Sequence, residues 1–411
     1  MHEFIETHPR DSDDRCDGAY QSWDTYSGEV HKCLPQCLRL IADEYPKEFS
    51  DRVYACLPHW SGNHPARDFL DLQLECWAIP SRHQLKTAMN RLDIPDYVWK
   101  IPDVWSYRWR AKYDDDYEEP PEGHCSEGSE PTLGFKARVR EKIIFSATAA
   151  AIRFLGLLPE SQRARIRSMI LHEDLPSVNN PSCHGDGLIP FLKENRCLRV
   201  ERRLNVANAY SNTYGFGADE VASQVFHERT YSVDFQEISQ PLSKYLLDTI
   251  TVSNEDVPTG SLTLVLEADP YPDFCTEAFQ QLIHRRIAWS RAFNECLESG
   301  LFKHLEDRQV EQLKRECAID DGFKDAIAQL VNQTSSVFRC DFNPGVLESY
   351  QTTVDEMRVT SPADVWKCWE DRSHAWVGYP DVEVGRESFD QIYEIQTEDE
   401  YLRSRACESQ E

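Results

Sequence analysis

Residues 261–267 read Ser-Leu-Thr-Leu-Val-Leu-Glu, and the fold class turns on them. Thr263 and Val265 among the leucines, with a stop at Pro270, mark a β-strand. Val337-Phe-Arg-Cys-Asp-Phe342 is a second candidate strand for the same sheet. Working outward from the two, most of the remaining patterned sequence has helical spacing. The expected fold class is therefore α+β, mainly helical: an irregular helical body with a small β-sheet.

Between the two strands, Phe279, Ile283, Ile287 and Phe293 place a long helix over 276–297. Shorter helices are expected over 309–318 and 323–331. Upstream, Ile143, Ile144, Ala147, Ala150, Ala151 and Phe154 form an apolar stripe that predicts a helix over 136–155. Gly156 separates it from a second helix over 159–171 through Ile166, Met169 and Ile170, with Pro159 in its first turn. Helical patterns also cover 220–227 and 242–250, and Ser361-Pro362-Ala363-Asp364 reads as a helix start. Nearer the amino terminus, Leu34, Cys37, Leu38 and Ile41 share a helical face, Pro46 interrupts it, and Phe49, Val53 and Leu57 continue on a second segment. Ser81 and Gln84 have the spacing of a capping box, for a helix through Leu85, Met89 and Leu92. Trp99, Trp105, Tyr107 and Trp109 follow among prolines in extended or irregular backbone.

Residues 113–131 carry eight acidic groups, no Lys or Arg and three prolines, the composition of a linker or long loop. The expected organisation is thus an amino-terminal helical and aromatic region over 1–112 with a loose arm at 1–30, and an acidic connection at 113–132. A main, mostly helical domain over 133–400 and a frayed tail at 401–411 complete it.

The chain has 411 residues, 40 % of them apolar, with 18 Phe, 17 Tyr and 10 Trp, enough to bury a substantial core. A formal charge of −27 argues against a generic binder of nucleic acid or anionic membrane. No basic start followed by an apolar run opens the sequence, and no stretch has the length of a membrane span, which places the protein in the cytosol or nucleus. The 14 cysteines are then expected to be free thiols packed as small apolar residues.

Candidate chemistry is sparse. His172, Asp174, Cys183, His184 and Asp186 offer imidazole, thiolate and carboxylate donors within fifteen residues, the donor types of a zinc site. Their spacing matches neither paired CxxC nor HExxH, so a helix end followed by a turn is the preferred account and no cofactor is expected. Cys33, Cys37, Cys56 and His59, with His64 nearby, form a weaker cluster, better explained as core thiols on an amphipathic helix. Gly215-Phe216-Gly217 lacks the third glycine of a dinucleotide loop, and no Walker or GxSxG motif occurs.

Charge is unevenly placed. Residues 136–203 hold thirteen basic and seven acidic groups, a local surplus of six positive charges in an acidic protein. One account is a docking surface for an acidic partner or RNA, on which Arg196, Arg199 and Arg203 would share a face if helical. The preferred account is neutralisation by the acidic 114–130 segment lying across that face.

Leu157-Leu158-Pro159-Glu160 with Arg165, Ile166 and Ile170-Leu171 resembles the opening of fungal F-box-like proteins. The continuation through Cys183-His184, Gly187-Leu188-Ile189-Pro190-Phe191 and Leu198-Arg199 to Glu201-Arg202-Arg203 is similar to a set of uncharacterised filamentous-fungal proteins. The resemblance covers about residues 155–300 and implies no reaction and no catalytic residues. The expectation is an intracellular, non-enzymatic protein-binding or scaffold module with an unknown protein partner. An F-box-like ubiquitin-ligase adaptor and a metal-dependent enzyme with its site near 172–186 are the alternatives.

Overall fold

The computed structural model describes residues 36–72, 75–94, 106–108, 137–142, 144–173, 181–207, 232–233, 235–303, 305–360, 377–378 and 393–397, with 364, 400 and 402–403. These fall into two compact units: the described parts of Met1–Cys76 with Pro80–Asp93, and those of Trp77–Ile79 with Ile94–Glu411. The expected segments at 113–131, 220–227 and Ser361–Ala363, and Gly215–Gly217, lie outside the described residues.

In the first unit, helical residues 36–44 precede α1 (Pro46–Cys56), which has its proline at N1 where the missing N–H costs nothing. α2 (Arg82–Leu92) starts with the expected capping box: Ser81 Oγ accepts from Gln84 N, and Gln84 Oε1 accepts from Ser81 N. Ala42, Phe49, Val53, Trp60, Ala66 and Leu70 form the core, with the Trp60 side chain wholly buried. The Trp60 indole N–H donates to Arg91 O at 2.5 Å, which ties the core to the end of α2.

The second unit contains, in chain order, β1 (Ser106–Arg108), β2 (Ala137–Glu141), α3 (Ala147–Leu157), α4 (Glu160–Arg163), β3 (Ser168–His172), α5 (Ile189–Glu194), β4 (Arg199–Asn205), β5 (Ser232–Val233) and α6 (Phe235–Asn254). Then come β6 (Leu262–Glu267), α7 (Pro272–Ala278), a π-helical turn (Phe279–His284), α8 (Arg285–Glu298), α9 (Asp307–Cys317), α10 (Asp321–Val331), β7 (Phe338–Cys340), α11 (Gln351–Val359), β8 (Val377–Gly378) and β9 (Tyr393–Thr397). The fold is α+β and mainly helical. The two strands expected from sequence, β6 and β7, are neighbours in one parallel sheet of order β3-β4-β6-β7. β1-β2-β9 and β5-β8 are separate antiparallel sets. Because β1 pairs with β2 in the second unit, the division falls at Asp93 rather than after residue 112.

Two helices expected from sequence are corrected, and the helical condition set for Arg196, Arg199 and Arg203 is not met. The stretch 136–155 is β2 followed by α3, because Ser146 caps a new helix by accepting from Ala149 N at 2.9 Å. The expected helix over 159–171 is the short α4 and then β3: Met169 and Leu171 alternate inward while Ile170 and His172 point out. Arg199 to Asn205 is a strand, so Arg199 and Arg203 lie on one sheet face and Arg196 sits in the preceding turn. The helical spacing rule fails at the first two because a few apolar residues satisfy period two as well as 3.6.

One face of the parallel sheet is covered. Leu171, Val200, Leu204, Leu262, Leu264, Leu266 and Phe338 pack against Ala151 and Leu155 of α3, Ile238, Leu242 and Leu246 of α6, and Phe323 and Ile327 of α10. The opposite face is polar and partly exposed, with Arg203 bridging Glu201 and Glu267 at 2.5 and 2.7 Å. On that face Arg203 thus pairs with Glu201 of its own strand and with Glu267 of the neighbouring β6. Among the described cysteines there is no disulfide; Cys275, Cys296 and Cys317 are buried, and burial pushes the Cys275 thiol up to about 12. No helix among the described residues is long and apolar enough to cross a membrane.

His284, 1 % exposed, closes the π-helical turn. Its Nε2–H donates to Pro344 O at 2.5 Å, while Nδ1 is buried with no hydrogen-bond partner among the described residues and the Phe279 ring packs edge-on. Burial lowers its pKa from 6.5, and the bond to Pro344 opposes this only in part. The folded state therefore favours the neutral ring. Its contribution is complete above the unfolded value and is lost as pH falls through the lowered folded value. The thermal midpoint should fall between about pH 7 and pH 5, and His284→Gln, which keeps an N–H donor, should flatten that part of the curve. Equal slopes for the two proteins would refute the assignment.

Candidate functional site

The centre of the second unit is a buried charge cluster built on Arg202. Period two places Arg202 in the inward row of β4 between Val200 and Leu204, so its guanidinium enters the core wholly buried. Two carboxylates meet it. Asp248 Oδ2 of α6 accepts from Nη1 at 2.6 Å, and Glu173 Oε1, one residue past β3, accepts from Nη2 at 3.4 Å. The Tyr245 ring stacks over the guanidinium carbon at 4.9 Å, one helical turn before Asp248. Burial alone would lower the Arg202 pKa, but Glu173 and Asp248 outweigh it and hold it above its ordinary value. Arginine stays charged there and serves both acids.

The acids are anchored in turn. The Glu173 carboxylate accepts from Ala147 N and Thr148 N, each at 3.2 Å, and from Thr148 Oγ1. It therefore lies at the positive end of α3, where the helix dipole favours an anion. Asp248 Oδ2 also accepts from Gly185 N at 3.0 Å. A Cβ at Gly185 would come within 2.3 Å of that oxygen, so the close approach requires glycine. His184, 1 % exposed, holds its Nδ1 2.6 Å from Ser146 Oγ, the hydroxyl that caps α3. The cluster thus joins β3, β4, α3, α6 and the 3₁₀ segment Pro181–Leu188.

A serine–histidine contact beside carboxylates has the residue types of nucleophilic catalysis. Here Ser146 is 3 % exposed, His184 is 1 % exposed, and the hydroxyl already accepts a helix N–H. The pair faces the core, and its geometry is that of a capped helix locked to its neighbour.

The residues expected to bind metal separate accordingly. His184 belongs to this buried cluster, and Cys183 and Asp186 are half-buried in the same 3₁₀ segment. His172 is on the outward row of β3, with Nδ1 3.9 Å from Glu267 Oε2. Asp174 and Cys33 lie outside the described residues. In the first unit Cys37 and Cys56 are exposed, and His59 Nε2 contacts Arg91 O at 2.8 Å. Among the described residues no group of three or more His, Cys, Asp or Glu side chains is placed to hold a metal ion.

A second feature is basic. Arg165 and Arg167 precede β3, Arg196 precedes β4 and Arg199 opens it, with Arg199 N donating to Arg167 O at 2.9 Å. The amino ends of two neighbouring strands thus present four exposed guanidiniums, while Arg203 belongs to the polar sheet face. Arg163 is engaged by Glu194 at 3.0 Å, but among the described residues no carboxylate pairs with Arg153, Arg165, Arg167, Arg196 or Arg199. Beside them Phe154, Leu157 and Ile170 are 50 %, 75 % and 53 % exposed.

Comparison with protein-family models, with curated proteins and with solved structures found no match to this chain.

Proposed function

We propose that the chain is a non-enzymatic protein-binding or scaffold module whose partner offers an acidic segment bearing apolar side chains. The observation that carries this is the juxtaposition, on residues 153–170 and 196–199, of exposed apolar residues with exposed arginines that pair with no carboxylate among the described residues. Apolar contacts of this kind supply affinity, and the guanidiniums supply orientation and rate of encounter. The buried cluster around Arg202 supports the same conclusion, since its Ser, His and carboxylate groups are spent on holding elements together.

The test is fluorescence polarisation of the full chain with a labelled synthetic peptide that alternates Glu and Asp with Leu and Phe. Binding should weaken as salt rises and fall at least about tenfold in the variant R165E/R167E/R196E/R199E. Equal binding by the two proteins, or none at low salt, would overturn the proposal.

An F-box-like adaptor role, implied by the resemblance, would use the same corner, where Leu157 projects 75 % exposed ahead of Pro159-Glu160. A pull-down that recovers a ubiquitin-ligase component with the wild-type chain, and loses it in Leu157→Asp, would favour that use. Recovery of no such component would count against it.

A further inference from the structure

The parallel sheet ends on β3 at one edge and on β7 at the other, and the two edges are finished differently. β7 is three residues long, and the Phe338 N–H, which points away from β6, donates to Ser335 Oγ at 3.1 Å. β3 has no such closure. Its bonds to β4 begin with Arg199 N donating to Arg167 O and end with Glu173 N donating to Arg203 O. Residues 167 and 173 therefore turn their polar groups toward β4, and alternation puts Met169 and Leu171 with them. The N–H and C=O of Ser168 and Ile170 point the other way, where no backbone group meets them among the described residues. Ser168-Met-Ile-Leu-His172 contains no proline, lysine or acid, the residues that commonly blunt an exposed strand edge. Such an edge is a template for an extended segment, which binds by main-chain hydrogen bonds and is selected by its alternate side chains.

Side chains beside the edge specify the occupant. Ser168 and Ile170 lie on the polar face of the sheet, where Ile170 is 53 % exposed. A residue paired with Ile170 stands beside it on that face, so a β-branched or aromatic side chain there would cover it. Ser168 pairs with Arg199, so a residue added opposite Ser168 lies about 10 Å from Arg199, two strand spacings away. Side chains on this face meet over that distance: His172 of β3 comes within 3.9 Å of Glu267 of β6, with β4 between them. Arg199 Nη1 donates to Arg196 O and Leu198 O, each at 3.0 Å, which leaves Nη2 to reach over the small Ser168 to a carboxylate. Arg165 and Arg167 stand at the same end. We infer that a partner segment adds to the sheet as a fifth strand along β3, with a carboxylate opposite Ser168 and an apolar residue opposite Ile170. This rests on the binding role proposed above and adds how the partner is held. A second copy of β3 does not fit, because Ser168–His172 has no carboxylate to offer Arg199.

The test is fluorescence polarisation of the full chain with a labelled peptide, Glu-Thr-Val-Thr-Glu-Thr-Val-Thr-Glu, and two backbone-methylated forms of it. One form is N-methylated at its Thr residues and the other at its Glu and Val residues. An added strand turns only alternate amides toward β3, so one form should bind at least about tenfold more weakly and the other like the parent. In the free chain the Ser168 and Ile170 amides should exchange with solvent faster than those of Met169 and Leu171, and bound peptide should slow them at least about tenfold. Ile170→Pro deletes an N–H that points away from β4, so it should melt like wild type and bind the peptide at least about tenfold more weakly. Should that variant fold poorly, the methylated peptides decide the matter on the wild-type chain. Equal effects of the two methylation sets would overturn the inference, as would protection of the Ser168 and Ile170 amides in the free chain by another segment or a second copy. Binding of the Leu- and Phe-containing acidic peptide but not of this one would also overturn it while leaving the binding role standing. No binding by either peptide would overturn both.

Discussion

Arg202→Met is expected to bring the second unit to the edge of unfolding at room temperature. The substitution leaves Glu173 and Asp248, 4 % and 5 % exposed, facing each other without their shared cation. Breaking a buried pair in this way costs about 3–5 kcal/mol. A typical domain has only about 5–15 kcal/mol to lose. Arg202→Lys should be intermediate, because a single ammonium cannot serve both carboxylates with the geometry of a guanidinium fork. Neutralising the acids in the same chain, as Arg202→Met with Glu173→Gln and Asp248→Asn, should restore much of the loss. The amides keep acceptors for Thr148 N and Gly185 N without leaving a buried charge. Urea midpoints measure the series. Wild-type-like stability of the single variant, or a triple variant weaker than the single one, would show that the cluster is not the link we describe.

Trp60→Ala should unfold the first unit. Among the described residues its core cluster holds six buried apolar side chains, and Trp60 is the largest of them. Truncating a buried tryptophan costs about 3–5 kcal/mol, a large share of what so small a core supplies. The indole bond to Arg91 O is lost as well. Hydrogen exchange should show protection disappearing from Pro46–Cys56 and Arg82–Leu92 while Leu262–Glu267 stays protected. Simultaneous loss in all three segments would mean that the two units fold as one cooperative body.

The parts of the fold visible in sequence were those with local chemistry. Ser81-x-x-Gln84 gave a helix start because both halves of the capping box are side chains three residues apart. Leu262–Glu267 could be read as a strand because six consecutive residues carry its composition. β3 and β4 could not be read so easily. β3 carries Met169, Ile170 and Leu171 and β4 is rich in Arg, residues that also fit helices, and their strand identity comes from the pairing of β3 with β4 and of β4 with β6. The same misreading hid the central cluster. Arg202 stands within a run of five arginines and lysines that looked like a surface, and only period two puts it inward beside Val200 and Leu204. Asp248 and Tyr245 carried no motif at all, since their role depends on contacts 46 residues or so away in the chain. His184 was singled out for its donor type, and the structure gives it a hydroxyl partner, Ser146, that spacing could not have named.

The strand order of the parallel sheet also has a bearing on synthesis. Each of β4, β6 and β7 is added beside the strand of that sheet made just before it, so no strand must wait for a later one to be inserted. A ribosome delivering the chain from its amino end can lay the sheet down in one direction. The connections lengthen from β3–β4 to β4–β6 to β6–β7, but closure entropy grows only slowly with length. The open position during synthesis is always the newest strand, and its apolar row is covered only in part until the following helix emerges. In a nascent chain stalled after β6, Leu262, Leu264 and Leu266 would have α6 to pack on but lack α10 and β7. That intermediate is where a chaperone would find the most exposed apolar surface.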